Sequence, residues 1–303
     1  MSNKPQAKKK GPGRPSIRQV PPSIEKYGIV DEPKDPNNRI EFAYSDPIVF
    51  KSLFTYFKNI KAREIHLHCH KNGLTFYTRD HSKVSRIVAE VSGVHVNWHF
   101  CNGDYWMGIN RDGIEKIFSS IDKTFYKITI IQSHDEIDSL TFIFKDADID
   151  KECHYKVSLS YYPSDDDLYE IKNIITPESL LKNFPIEFTL TAKQFKKTVN
   201  DASNFSDTIT FEKLGEHPLQ LNYAKSNLIY HEIYRSPKKI NLRSNISENE
   251  TFRTTIKISN IKCLASSMVT DDIRILCRED ADILFRSALD EKALVVSTIT
   301  KLY

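Results

Sequence analysis

No apolar run in this chain approaches the ~18 residues that a helix needs to cross a bilayer. Charge and proline fill the first residues, where a secretory leader needs an apolar stretch. An intracellular protein with no membrane partner is expected. Nine glycines supply neither a G-x-x-x-x-G-K-[ST] loop nor a G-x-G-x-x-G turn after a strand, so nucleotide binding has no motif to rest on. A G-x-S-x-G nucleophile elbow is absent as well. Cysteine is sparse: Cys69, Cys101, Cys153, Cys263 and Cys277 are odd in number and never spaced C-x-x-C, which fits reduced core thiols better than disulfides or zinc. A protein that is not an enzyme and needs no cofactor is the expectation.

What the chain does have is enough apolar material for a large core: 303 residues, 40% hydrophobic and 11% aromatic. Its formal charge is only +3. Lys4, Lys8, Lys9, Lys10, Arg14 and Arg18 all precede the first acid, Glu25, so 37 basic residues face 40 acidic ones in the rest. Polyanion binding by the body therefore depends on where its charges are placed, not on an excess of them.

Residues 1–38 are rich in proline and poor in apolar periodicity, and read as a basic, disordered tail with an extended lead-in, order beginning near Arg39. Lys8, Lys9, Lys10, Gly13, Arg14 and Pro15 form the core of an AT-hook pattern, in which an extended Gly-Arg-Pro fits a narrow A·T minor groove. A nuclear-import signal or a nonspecific basic arm fits the same residues. Alternation over Ile40 to Tyr44 predicts a strand, and Asp46-Pro47 opens a helix carrying Val49, Leu53, Phe54, Phe57 and Ile60 on one side. Further strands are expected over Ile65 to Cys69, Leu74 to Thr78, Val84 to Val91 and His95 to Phe100.

The segment from Ile114 to Ile128 overlays that from Ile261 to Ile275 with a constant offset of 147, Ser119-Ser120 meeting Ser266-Ser267. Phe50-Lys51 matches Phe195-Lys196 at nearly the same offset. An internal duplication accounts for both matches, and so would chance similarity of two helix-strand units. Each half has two short helices among many strands. Acids and prolines between Tyr161 and Pro177 mark a linker, giving units at residues 39–160 and 186–303 joined by residues 161–185.

Two clusters invite a chemical reading. His66, His68 and His70 share one face of a strand and either ligate a metal or line a solvated surface. Asp146, Asp148 and Asp150 suggest Mg²⁺-dependent nuclease chemistry or a solvated turn; Lys151 and Val157 occupy the places where a calcium loop wants glycine and glutamate. The helices carry a third pattern. Lys51, Lys58 and Lys61; Arg111, Lys116 and Lys123; Lys193, Lys196 and Lys197; and Lys257 and Lys262 stand opposite apolar stripes, as solvated faces do and as a phosphate-contacting surface would.

The stretches 50–58 (FKSLFTYFK), 73–84 (GLTFYTRDHSKV), 107–110 (MGIN) and 149–157 (IDKECHYKV) resemble, in order and spacing, the sliding clamps of the proliferating cell nuclear antigen (PCNA) type, in the form found in large DNA viruses. The resemblance spans about residues 39–300. It implies an α+β DNA-clamp fold and a homotrimeric ring around double-stranded DNA, with the basic helix residues lining the hole. It implies subunit contacts between His154, Tyr155, Lys156 and Val157 on one edge and Leu228, Ile229, Tyr230, His231 and Ile233 on the other. Partner peptides of DNA polymerase, clamp loader, nuclease and ligase would dock near Arg79, Asp80, Lys83, Val84, Leu168, Ile171, Val296 and Ile299. Arg79 and Lys83 stand where cellular clamps usually carry methionine and histidine. A monomeric or dimeric clamp-fold factor gripping DNA electrostatically, and an architectural factor acting through the tail, are the alternatives.

Overall fold

A computed structural model describes residues 28–62, 64–80, 85–161, 164, 184–225, 228–267, 270–278, 283–290 and 294–300. Within them the first half of the chain runs β1 (Asn38–Tyr44), α1 (Pro47–Asn59), β2 (Glu64–His70), β3 (Gly73–Arg79), β4 (Ser85–Ser92), β5 (Trp98–Cys101), β6 (Tyr105–Asn110), α2 (Arg111–Ser119), β7 (Phe125–Ser133), β8 (Ser139–Asp146) and β9 (Glu152–Tyr161). The second runs β10 (Ile186–Thr191), α3 (Ala192–Phe205), β11 (Thr208–Leu214), β12 (Leu219–Lys225), β13 (Leu228–Tyr234), β14 (Arg243–Ser244), β15 (Thr251–Lys257), α4 (Ile258–Ser267), β16 (Asp272–Cys277), β17 (Ile283–Asp290) and β18 (Leu294–Thr300).

Local chemistry sets the helix starts. Asp46 caps α1 by accepting from the Ile48 amide at 3.0 Å, with Pro47 supplying a first residue that has no amide to satisfy. Asn110 caps α2, and Thr191 with Gln194 forms a reciprocal capping box on α3. Each helix then buries an apolar stripe, aromatic in part on α1, α2 and α3 and wholly aliphatic on α4. Phe54 of α1 lies 4.5 Å, centroid to centroid, from Phe118 of α2 and 5.5 Å from Phe76 of β3, tying both helices to the sheet beneath.

The strand order repeats. The first half pairs as β5-β1-β7-β8-β9 and β4-β3-β2-β6, and the second as β14-β10-β16-β17-β18 and β13-β12-β11-β15. Every neighbouring pair within these sets is antiparallel. One further ladder fuses the halves: β18 pairs with β4 from Leu294 opposite Val91 to Thr300 opposite Ser85. The helices cover one side of this sheet system in the spatial order α2, α1, α4, α3, with α1 touching α4 at the junction. The architecture is the expected α+β clamp, two similar antiparallel units with two helices each.

Two local expectations need correction. Residues 95–100 are not one strand: Gly93–His95 forms a tight 3-10 turn before β5, packed so closely that a side chain at Gly93 would come within 2.6 Å of the His99 ring. Held structure also begins ahead of Arg39. The buried Glu41 carboxylate accepts from the amides of Lys34 at 2.9 Å and Asp35 at 3.0 Å, from Asn38 Nδ2 at 2.7 Å and from Trp98 Nε1 at 3.0 Å. Val30 and Gly28 meanwhile exchange backbone hydrogen bonds with His99. One carboxylate thus pins the lead-in against β1 and β5. Glu41→Ala leaves these donors without their acceptor and is expected to cost roughly 1–3 kcal/mol in urea unfolding; unchanged stability would show that the lead-in is held by other means.

Candidate functional site

Three surfaces stand out, and the layer of helices is the first. Lys58, Lys61, Lys116, Lys123, Lys193, Lys196, Lys197, Lys257 and Lys262 are exposed, while Lys51 and Arg111 are half-buried. Their electrostatic states differ between the halves. Lys51 Nζ donates to the carbonyl of Ile121, Lys58 pairs with Glu115, and Arg111 pairs with Asp112 at 2.9 Å and approaches Glu115 at 4.0 Å. Lys193, Lys196 and Lys197 on α3 form no ion pair among the described residues. Lys61, Lys116, Lys123, Lys257 and Lys262 also form no ion pair among the described residues, so α3 is distinguished by carrying three such lysines within five residues. Lys61, just past α1, adopts φ 58, a left-handed conformation that ends the helix and turns the chain into β2.

The second surface is a pair of sheet edges. From Glu152 to Val157, β9 is laddered to β8 on one side only, β6 joining it just at Leu159 and Tyr161. Beyond β12, β13 has no ladder partner among the described residues. On the outward face of β9, His154 and Lys156 are exposed, while Tyr155 is half-buried and Val157 buried against the core. Across the fold, β13 presents Ile229 (65% exposed), Tyr230 (42%) and Ile233 (40%), with His231 exposed between them. Tyr230 stacks on Tyr223 at 4.8 Å, and Phe205 lies 5.9 Å from Tyr230 and 6.3 Å from Tyr223, so the three rings form one cluster. Burial raises the Tyr223 and Tyr234 hydroxyls well above the ordinary tyrosine range. Leu228 belongs to β13 by its backbone pairing with Lys225. Unpaired strand edges with apolar side chains are templates for another strand.

The third surface lies on the sheet face away from the helices. Tyr77, Val88, Leu276 and Leu284 form a small second core there, with Trp106 and Phe184 packed on it and Arg278 set 5.7 Å from the Phe184 ring. Sequence reasoning did not find these residues; the available signal was Leu276, an apolar side chain on the outward register of a strand whose core face is already supplied by Ile273, Ile275 and Cys277. Of the expected peptide-pocket residues, Arg79 is half-buried at the end of β3. Val296 and Ile299 lie on β18 opposite Ala89 and Arg86. Lys83, Val84, Leu168 and Ile171 lie outside the described residues, as do Lys8, Lys9, Lys10, Gly13, Arg14 and Pro15 of the tail.

The two chemical clusters resolve differently. Asp146 ties a turn, accepting from Thr124 Oγ1 and from the Asp148 amide, both at 2.8 Å. The histidine row is not a solvated face: His66 is buried, and His68 stacks on Trp106 at 3.9 Å while pairing with Asp104. No group of three or more metal-ligating side chains converges among the described residues. Desolvation, reinforced by His68, lowers His70 to about 4, and burial lowers His99 too. Both imidazoles are thus held neutral. Both folded-state values lie below the ordinary histidine value near 6.5, so their contribution to stability is complete above that pH and is lost as pH falls below it, for His70 toward about 4. His70→Gln is expected to reduce the drop in Tm between pH 7 and pH 4.5; an equal drop in both proteins would remove His70 from the acid sensitivity.

Residues 39–168 match the family model for the proliferating cell nuclear antigen N-terminal domain. The chain is 46% identical over 294 residues to an uncharacterized protein of African swine fever virus, in isolate Pig/Kenya/KEN-50/1950 and equally in strain Badajoz 1971, covering 96% of this chain and 97% of the relative. It is 21% identical over 173 residues to proliferating cell nuclear antigen 1 of Plasmodium falciparum, 57% of this chain and 59% of that one. No helix among the described residues is long and apolar enough to cross a membrane.

Proposed function

We propose that this chain, which belongs to the PCNA-like sliding-clamp family together with its African swine fever virus relatives, closes as a homotrimer around double-stranded DNA and confers processivity on a DNA polymerase. The observation that carries this reading is the repeat itself. By strand order β9 is the counterpart of β18, and β13 the counterpart of β4. Within the chain β18 and β4 are zipped together, whereas β9 and β13 each keep an open edge. A head-to-tail contact between β9 of one copy and β13 of the next repeats the internal seam and consumes both edges. If the rotation closes, the product is a ring whose sheet is continuous and whose helices face the hole.

His154, Tyr155, Lys156 and Val157 then form one side of each subunit joint, and Leu228, Ile229, Tyr230, His231 and Ile233 the other. Lysines on α1 to α4 meet phosphates inside the hole without reading bases, which suits a function in which the protein holds DNA topologically and moves along it. The outward cluster of Tyr77, Val88, Leu276 and Leu284 offers apolar footing for peptides of a polymerase, a clamp loader, and nucleases or ligases acting in the infected cell. The tail residues Lys8, Lys9, Lys10 and Arg14 add an accessory tether for DNA outside the ring.

Topological retention separates this reading from electrostatic gripping. Loaded protein is expected to stay on covalently closed circular DNA in high salt and to be released when the circle is cut once; equal retention on both forms would contradict encirclement. Changing Lys193, Lys196 and Lys197 together to Glu is expected to lower duplex affinity by about tenfold or more in filter-binding assays at low salt. Lys58→Glu is expected to do less, because Lys58 is already paired with Glu115. A larger effect at Lys58 would reverse the assignment of the binding charge to α3.

A further inference from the structure

The internal seam fixes more than which strands meet: it fixes their register. Phe42 of β1 and Phe188 of β10, buried four and three residues ahead of their helix caps, are matched because this lays β18 (Leu294–Thr300) over residues 151–157, which take in the open stretch of β9. The match sets Ile130 rather than Ile128 against Ile275, so the overlay of α2 on α4 slips by two residues in the strands that follow. Following the ladders outward, Phe42 pairs with Ile130, Ile130 with Phe142 and Phe142 with Tyr155. In the other half Phe188 pairs with Ile275, Ile275 with Phe285 and Phe285 with Thr298. Tyr155 is therefore the counterpart of Thr298, and His154 of Ser297. On the other side Leu67 and Phe211 are the equivalent core residues. Leu67 leads through Phe76 to Ala89, and Phe211 through Leu221 to Glu232. Ala89 thus corresponds to Glu232, and Val88 to His231.

Ser297 stands directly opposite Val88 in the seam. Transferred to the subunit joint, that pairing sets His154 opposite His231 of the partner subunit, and Tyr155 opposite Tyr230 of the partner subunit. The faces agree with the register. His154 and His231 are both exposed on their strands, while Tyr155 lies against the core and Tyr230 against Phe205 of α3.

Hydrogen bonds already present fix the tautomers of both imidazoles. His154 Nε2 lies 3.2 Å from Glu152 Oε2. Glu152 also pairs with Lys145, so toward His154 its carboxylate is the acceptor; His154 Nε2 is the donor and Nδ1 keeps its lone pair. His231 Nδ1 lies 2.7 Å from Asn222 Oδ1, and the Asn222 amide is oriented by donating from Nδ2 to Glu212 at 2.7 Å. His231 Nδ1 is therefore the donor, and its Nε2 keeps the lone pair. In these tautomers the two facing nitrogens both present lone pairs, so the rings cannot hydrogen-bond to each other. Each is also backed through its other nitrogen by a fixed acceptor, as metal-ligating histidines are.

Resting on the ring reading, we propose that each subunit joint forms a binding site for a divalent transition-metal cation of the zinc class. Its ligands are Nδ1 of His154 and Nε2 of the partner subunit's His231, with water completing the coordination on the exposed face. Opposed positions on antiparallel strands bring side chains near enough for one ion to bridge them. The ion would strengthen closure, since neither imidazole alone is a chelating site. A ring carries one such site per joint.

The test uses the full chain after treatment with EDTA and dialysis. Co²⁺ titrated into the trimer is expected to bind one ion per chain with visible absorption bands, and Zn²⁺ to displace it. Zn²⁺ is further expected to lower by about tenfold the protein concentration at which light scattering detects trimers. His154→Gln and His231→Gln, each still able to assemble at high protein concentration, are expected to lose at least tenfold in metal affinity and to lose the Zn²⁺ effect on assembly. A trimer that binds no metal, or binds it equally in both variants, overturns the site and leaves the ring reading standing. Trimers favoured by acid with metal absent overturn it too, since a shared proton would then bridge the rings. A chain that stays monomeric at every concentration, with or without Zn²⁺, overturns the ring reading itself.

Discussion

Backbone pairing between β18 and β4 is the constraint from which the rest of the molecule follows. Seven residues of each strand are matched along that seam, and no other ladder joins the two halves among the described residues. It sets the two antiparallel units edge to edge, so that their helices fall into one layer with α1 against α4. It also fixes the faces: apolar side chains of both units are buried toward the helices, and the cluster of Tyr77, Val88, Leu276 and Leu284 gathers on the other side of the junction. A polypeptide built of two such units must leave the counterpart edges open, one at each end. An isolated protomer is in that sense an unfinished sheet, and a second copy is the simplest occupant that fits.

The helix layer follows from the same geometry. Four helices laid on one sheet face turn their apolar stripes down and their long basic side chains outward. Identical placement does not give identical charge, however. Glu115 and Asp112 draw Lys58 and Arg111 into surface pairs in the first half, while α3 keeps three exposed lysines in a single turn and a half. Surface pairs of this kind contribute little to stability, so their effect is chiefly on the field offered to a polyanion.

Much of this was legible in the sequence, for identifiable reasons. Asp46-Pro47 announces a helix start, and the apolar spacing from Val49 to Ile60 announces its buried face. The matched segments around Ser119-Ser120 and Ser266-Ser267 reflect α2 and α4, which hold equivalent places in the repeated strand order. The resemblance in order and spacing carried the fold further than any single motif. What escaped depends on long-range partners. Glu41 reads as a polar residue in an alternating strand, yet it is buried because Trp98 and the lead-in amides converge on it. Lys213 occupies a core-facing register of β11 with its amine on the carbonyl of Gly215, which no periodicity argument would assign to a lysine. His66 looks solvated by alternation but is covered, because the outward face of β2 carries packing of its own around Trp106 and Tyr77.

Closure of two open edges on copies of the same chain is tested most directly by the molar mass of the protein in solution. Light scattering at micromolar concentration is expected to give about 105 kDa, three times the 35.1 kDa chain. A mass of one chain that persists as concentration is raised would contradict it.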